Sequence, residues 1–267
     1  MLLPNTTKNV LQHRRHKRSI EVGRIIDTLA RQLRRTGAQP ARPLEILEFG
    51  SGNGFQIDYL KRLGNVIASD IYTSDEIPRM HDVQFVQCSI TRSPIRDAQF
   101  DVIFSNHVIE HIEDCASAFR ELKRIGAPGC VYAFSVPTNA WLLLTIPAQY
   151  LAKLHVLNRA VPWKSSATPT AAGSGAEQGA SSSQPRPAAG RWRRRLLPTG
   201  HGVEADFGKC YRAFKIESWA RFFREHNFEI IETRPLLLYG PSEWPLIPTM
   251  NSWHSLCSSV LFLMTMH

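Results

Sequence analysis

The stretch that decides the fold is Leu44-Glu45-Ile46-Leu47-Glu48-Phe49-Gly50-Ser51-Gly52-Asn53-Gly54. A short apolar run, three glycines at alternate positions and helical spacing over residues 56–63 predict a strand, a tight turn and a helix. Glycine has no Cβ, so its backbone can bend sharply and lie close to a bound molecule. Dinucleotide sites space their glycines G-x-G-x-x-G, whereas here the third glycine comes one position early and Phe55 stands in its slot. Glu48, directly before the first glycine, suits a ligand with an ammonium group and would repel a diphosphate.

Outward from this turn, residues 65–69 read as a second strand that closes on Asp70, and residues 84–87, 100–105 and 130–136 as three more. Residues 116–125 have helical spacing and stop at Gly126 and Pro128. Residues 216–226 form a helix striped by Trp219, Phe222 and Phe223, followed by a sixth strand at 228–233 and a last one within 255–266. Strands alternating with helices predict a doubly wound α/β domain with a mainly parallel sheet. A leading amphipathic helix covers 19–35, with Ile20, Ile25, Ile26, Leu29 and Leu33 on one side and arginines on the other.

The chain has 267 residues, 43% of them hydrophobic, which is enough for a large core. Its formal charge of +9 is unevenly spread. Residues 1–42 hold about ten basic residues against two acids and residues 162–200 about six against one, so the remainder is acidic by roughly four charges. Such flanks read as solvated segments or a nonspecific electrostatic tether, and they predict no sequence-specific nucleic-acid partner. The expected organisation is a basic tail and leading helix over 1–43 and one domain over 44–267. That domain is interrupted at about 164–200 by a Ser-, Ala-, Gly- and Pro-rich insertion that cannot offset its ordering entropy. Cys88, Cys115, Cys130, Cys210 and Cys257 show no C-x-x-C pair, which argues against a disulfide scaffold or a structural zinc site. With no secretory leader and no apolar run of membrane-spanning length, a cytoplasmic location is expected.

Taken together, Glu48 to Gly54, Asp70 and the run Phe100-Asp101-Val102-Ile103-Phe104-Ser105-Asn106-His107-Val108-Ile109-Glu110-His111-Ile112 resemble the class I S-adenosylmethionine-dependent methyltransferases of the methyltransferase-11-like group. Phe119 to Arg124 and Pro128-Gly129 are similar to the helix and turn that follow in that family, and the similarity covers about residues 44–137. The resemblance implies a Rossmann-like seven-stranded sheet with an antiparallel last strand, and S-adenosyl-L-methionine as cofactor. It implies that Glu48 receives the cofactor's amino end, that Gly50, Gly52 and Gly54 admit its backbone, and that Asp70 accepts the ribose hydroxyls. Ile71 is then expected against the adenine, Ser89 and Ile90 beside it, and Asn106 and His107 at the reacting end. Ser89 departs from the pattern, since many relatives carry an acid there, and a hydroxyl accepts a hydrogen bond more weakly than a carboxylate.

The implied reaction is methyl transfer to a small-molecule acceptor, lipophilic or glycosidic in type, with His107 and His201 as candidate catalytic residues. The absence of an N-P-P-Y-like loop after the fourth strand disfavours base or amide acceptors; Ser105-Asn106-His107-Val108 stands there instead. Two other readings stay open at this level: a nicotinamide-dependent oxidoreductase, disfavoured by the glycine spacing, and a noncatalytic protein that keeps the cofactor fold. His107-Val108-Ile109-Glu110-His111 also matches the H-x-x-E-H pattern of inverted zinc proteases, but the glycine turn and Asp70 have no place in one, so no metal is expected. The apolar segment 140–161, broken by Pro147, reads as a core or lid helix, with weak peripheral contact to a membrane as the functional alternative.

Overall fold

The computed structural model describes residues 6–35, 42–73, 83–157, 198–239, 250–251 and 256–266. The helix α1 (Thr6–Arg35) leads into β1 (Leu44–Phe49), the single-turn α2 (Ile57–Leu60), β2 (Gly64–Asp70), β3 (Gln84–Gln87) and β4 (Phe100–Asn106). A 3-10 turn, Ile109–His111, precedes α3 (Cys115–Ile125), β5 (Gly126–Pro137) and α4 (Asn139–Leu157). Residues 164–197 of the low-complexity insertion lie outside the described residues, while Thr199, expected within it, bridges Asp206. Then come α5 (Phe207–Ala213), α6 (Ile216–Glu225), β6 (Phe228–Pro235), the small hairpin β7 (Leu237–Leu238) and β8 (Met250–Asn251), and β9 (Ser259–Met266).

Seven strands form one sheet in the order β3-β2-β1-β4-β5-β9-β6. The first five are parallel, and β9 runs antiparallel between β5 and β6. Strand alternation shares the apolar residues between two cores, because successive side chains point to opposite faces. Ile46, Val102 and Val131 face one way with Val22, Ile25, Ile26, Leu29 and Leu33 of α1. Leu47, Ile103 and Phe134 face the other way with Phe119 and Leu122 of α3 and Trp219 and Phe223 of α6. The buried face of α1 contributes on the order of 10 kcal/mol of apolar burial before conformational entropy is subtracted, so this helix is integral to the domain.

Because β1, β2 and β4 are parallel, their carboxyl ends share one edge, and the strand order switches direction between β1 and β4, where Gly50, Asp70 and Asn106 stand at or just past the strand ends. The helix expected over 56–63 is shorter than its periodicity suggests. Its N-terminal residue Gln56 turns its amide inward to Glu48 and Asn106 instead of capping the helix, and Leu44 pairs with Gly64, so β2 has to begin there. The apolar segment 140–161, which Pro147 is expected to interrupt, is continuous helix as far as Leu157, with Leu143 and Tyr150 exposed on it, and residues 158–161 lie outside the described residues. No helix among the described residues is long and apolar enough to cross a membrane.

Candidate active site

The glycine turn is tied to the neighbouring strand by two amides, Gly50 N–H and Ser51 N–H, which both donate to the Ser69 carbonyl at 2.8 and 3.1 Å. Gly50 has φ +71°, and a Cβ there would lie 2.3 Å from a methyl of Val108, so both conformation and space exclude a side chain. Asp70 turns towards this bend: one carboxylate oxygen accepts from Gly52 N–H at 2.9 Å and the other from Tyr72 N–H at 3.0 Å. A Cβ on Gly52 would meet nothing within 4 Å, which leaves open space beside the backbone.

Two cavities flank this turn. One, of about 420 Å³, is lined by Asp70, Ile71, Ser89 and Ile90. The other, of about 520 Å³, is lined by Gly52, Asn106, Trp141, His201 and Tyr239, with Lys17, Arg18 and Glu21 of α1. Gly50, His107 and Val108 belong to both and form the wall between them. Ile71 is half exposed at the mouth of the first, and the Ser89 hydroxyl pairs with Thr91 at 2.8 Å in its own loop. That loop is anchored from α3, where Glu121 accepts from both the amide and the hydroxyl of Ser93 and from Arg124. These partners hold the Glu121 carboxyl near 2, and Arg124 heads the causes.

Glu48 and Gly54 line neither cavity. Glu48 is fully buried under the turn, where burial pushes its carboxyl up to about 8 and the Gln56 amide, donating at 2.9 Å, offsets only part of that. The Gln56 carbonyl in turn accepts from Asn106 at 2.6 Å. The Asn106 carbonyl oxygen and the Ser51 hydroxyl, both at this cavity, lack a hydrogen-bond partner among the described residues.

His107 has φ +57°, a strained conformation for a residue with a Cβ that costs about 1–3 kcal/mol. Its ring lies between two buried carboxylates, with Nε2 3.7 Å from Glu21 and Nδ1 3.6 Å from Glu110, and the Tyr239 hydroxyl 3.4 Å from Nε2. Burial alone would lower its pKa, but the two carboxylates overcome this and raise it to about 10, so His107 is a cation at neutral pH. Burial likewise works against ionisation of Glu21, yet His107, Ser259 and Tyr239 hold it below the usual carboxylate range. His201 behaves in the opposite way: burial lowers its pKa and leaves it neutral. Glu21 and Tyr239 carry no motif that marks them, whereas Glu110 stands in the H-x-x-E-H run; for Glu21, the one available sign is an acid on the apolar side of an amphipathic helix.

Residues 47–134 match the family model described as a methyltransferase domain. Over this stretch the chain carries a methyltransferase domain, and its fold is that of the S-adenosylmethionine-dependent methyltransferases. A curated relative, the malonyl-[acyl-carrier protein] O-methyltransferase of Pseudescherichia vulneris, is 28% identical over 128 residues, which is 45% of this chain and 46% of that protein. The chain thus matches about half the length of this relative. The solved S-adenosylmethionine-dependent methyltransferase of Thermotoga maritima is 15% identical and covers 96% of this chain and 91% of its own, with a TM-score of 0.54, a likeness that shows the shared fold. The 1,6-didemethyltoxoflavin-N1-methyltransferase of Burkholderia thailandensis, solved with 1,6-didemethyltoxoflavin and S-adenosylhomocysteine, is 14% identical over 100% of this chain and 91% of its own, with a TM-score of 0.49. The residues present fit the domain's cofactor: open backbone at Gly52, a carboxylate beside it and an unpartnered buried acceptor at Asn106.

Proposed function

We propose that this methyltransferase domain moves a methyl group from S-adenosylmethionine to an oxygen of a small acceptor seated between α1, α4 and the segment 198–206. The observation that carries this reading is the shared wall of Gly50, His107 and Val108: a ligand lying along the turn would have its centre where the two cavities adjoin. When bound, the cofactor supplies an electrophilic methyl group on a sulfonium. In this reading Asp70 takes the ribose hydroxyls, Ile71 and Ile90 flank the base, and the Asn106 carbonyl accepts from the ammonium group. Glu48 acts through Gln56, by fixing the Asn106 amide.

The two histidines divide the remaining work by protonation state. His107 holds its proton at neutral pH and cannot serve as a base; it neutralises Glu21 and Glu110 and presents positive charge to the acceptor. His201 is neutral and lines the acceptor cavity, so it can take the proton of an acceptor hydroxyl. Lys17 and Arg18 at the same cavity favour an acceptor that also carries a carboxylate or phosphate. The O-methyltransferase matched among curated proteins supports an oxygen acceptor. The test is release of S-adenosylhomocysteine with small hydroxy acids and sugar phosphates, beside calorimetry with S-adenosylhomocysteine and NAD. Turnover of an anionic hydroxyl acceptor that falls at least tenfold in His201→Asn is expected; binding of NAD in place of S-adenosylhomocysteine would overturn the reading.

A further inference from the structure

Beside the cofactor turn, with His111 on one cavity and His201 on the other, the fold assembles three metal-ligating side chains that no sequence motif groups together. Glu110, His111 and His201 each bring one ligand atom within 4.8 Å of the others. The Glu110 side chain is fully buried, and neither of its carboxylate oxygens has a hydrogen-bond partner among the described residues. Its Oε1 has only imidazole nitrogens nearby, His107 Nδ1 at 3.6 Å and His111 Nε2 at 4.0 Å, both too long for hydrogen bonds. A buried carboxyl whose oxygens have no hydrogen-bond partner is costly; the His107 cation faces Oε1 without a hydrogen bond, and a coordinated metal ion would supply the close contact that both oxygens lack.

The surrounding structure holds the trio in place. Val203 N–H donates to the Glu110 carbonyl at 2.9 Å, and a Cβ on Gly202, which has φ +71°, would lie 2.1 Å from that same oxygen. Only glycine therefore lets the His201-Gly202-Val203 turn lie flat against Glu110. His201 is packed edge-on against His111 at 4.9 Å and Trp141 at 4.8 Å between ring centroids, and its backbone is tied to Cys210. The imidazole of His111 is half exposed, which leaves a path for an ion.

We infer that Glu110, His111 and His201 form a binding site for a divalent transition metal of the zinc class. Two imidazoles and one carboxylate are a donor set that suits zinc or cobalt and leaves a position open for an oxygen ligand. Two bonds of about 2.1 Å to one ion hold their donor atoms at most about 4.2 Å apart, so a small rotation of the exposed His111 ring closes the site. The H-x-x-E-H pattern pairs His107 with His111, and the structure substitutes His201 for His107, which faces Glu21 instead.

The inference does not rest on methyl transfer and is read on the metal alone; a His201 ring that holds the ion cannot also take the acceptor proton, so the two roles belong to the metal-loaded and the metal-free protein. The untagged full chain, dialysed against chelator, is titrated with Zn²⁺ by calorimetry and with Co²⁺ by visible absorption. One equivalent is expected, with the bands of four-coordinate cobalt. Affinity is expected to fall at least tenfold in His201→Ala, His111→Ala and Glu110→Gln, and to stay unchanged in His16→Ala, an exposed position on α1. His111→Ala keeps the test decisive should Glu110→Gln fail to fold. Gly202→Ala retains every ligand but is expected to weaken binding by displacing His201. No binding to the wild type, or equal binding by wild type, His111→Ala and His201→Ala, would overturn the inference.

Discussion

The two sides of the Gly50–Val108 wall are built by opposite strategies. On the Asp70 side, the groups come from short runs of chain at or after the ends of parallel strands, and its carboxylates, Asp70, Glu113 and Asp114, stand in loops or at a strand end. On the His107 side, buried charges come from segments far apart: Tyr239 reaches Glu21 across 218 residues and Ser259 reaches it across 238. The first side tolerates water and depends on turn geometry. The second buries ionised groups, so each of its members is costly to leave alone.

This contrast is open to direct test. The largest effect is expected on the second side: Glu21→Gln leaves His107 with one carboxylate in place of two, and should cost on the order of 3–5 kcal/mol in denaturant unfolding. A loss under 1 kcal/mol would mean that the cluster is solvated after all. Gly50→Ala should come next, at about 2–4 kcal/mol with loss of S-adenosylhomocysteine binding, because the added methyl strikes Val108 in the wall itself. Asp70→Ala should weaken S-adenosylhomocysteine by roughly 10- to 100-fold in calorimetry and barely move the melting temperature. Unchanged affinity would remove Asp70 from the ribose site.

Two smaller effects refine the picture on the Asp70 side. Glu121 has its folded pKa lowered to about 2 from an ordinary 4.5, so its stabilisation is complete above about 4.5 and is lost as pH falls towards 2. Glu121→Gln should flatten that limb of the pH–stability curve and cost about 1–3 kcal/mol at neutral pH. A variant curve parallel to the wild type between pH 2 and 5 would rule out this clamp on the Ser89 loop. The smallest effect is expected at Gly52→Ala, about 1 kcal/mol from its φ of +55° alone, since a Cβ there meets open space.

Both the parallel sheet and the Asp70 side were legible in the linear chain. Short apolar runs in β1 and β4 announce strands buried on both faces, and the glycine spacing disfavours a dinucleotide turn. The short hairpin of β7 and β8 and the helix α5 went unread, because two-residue strands and a seven-residue helix carry too little periodicity. Glu48 shows what motif reading leaves open: the pattern supplies the acid, and the fold buries it under the turn against the Gln56 amide.

What the sequence determined by itself is the set of features that covalent neighbours control: strand alternation, the bend at Gly50 and the carboxylate at the end of the second strand. What only the tertiary structure decided is which distant side chains share a dry space. His107 and His201 look alike in the sequence, yet one becomes a cation between two buried carboxylates and the other a neutral ring beside Glu110. The physical reason is that ionisation depends on desolvation and on charges a few ångströms away, and chain order does not specify either.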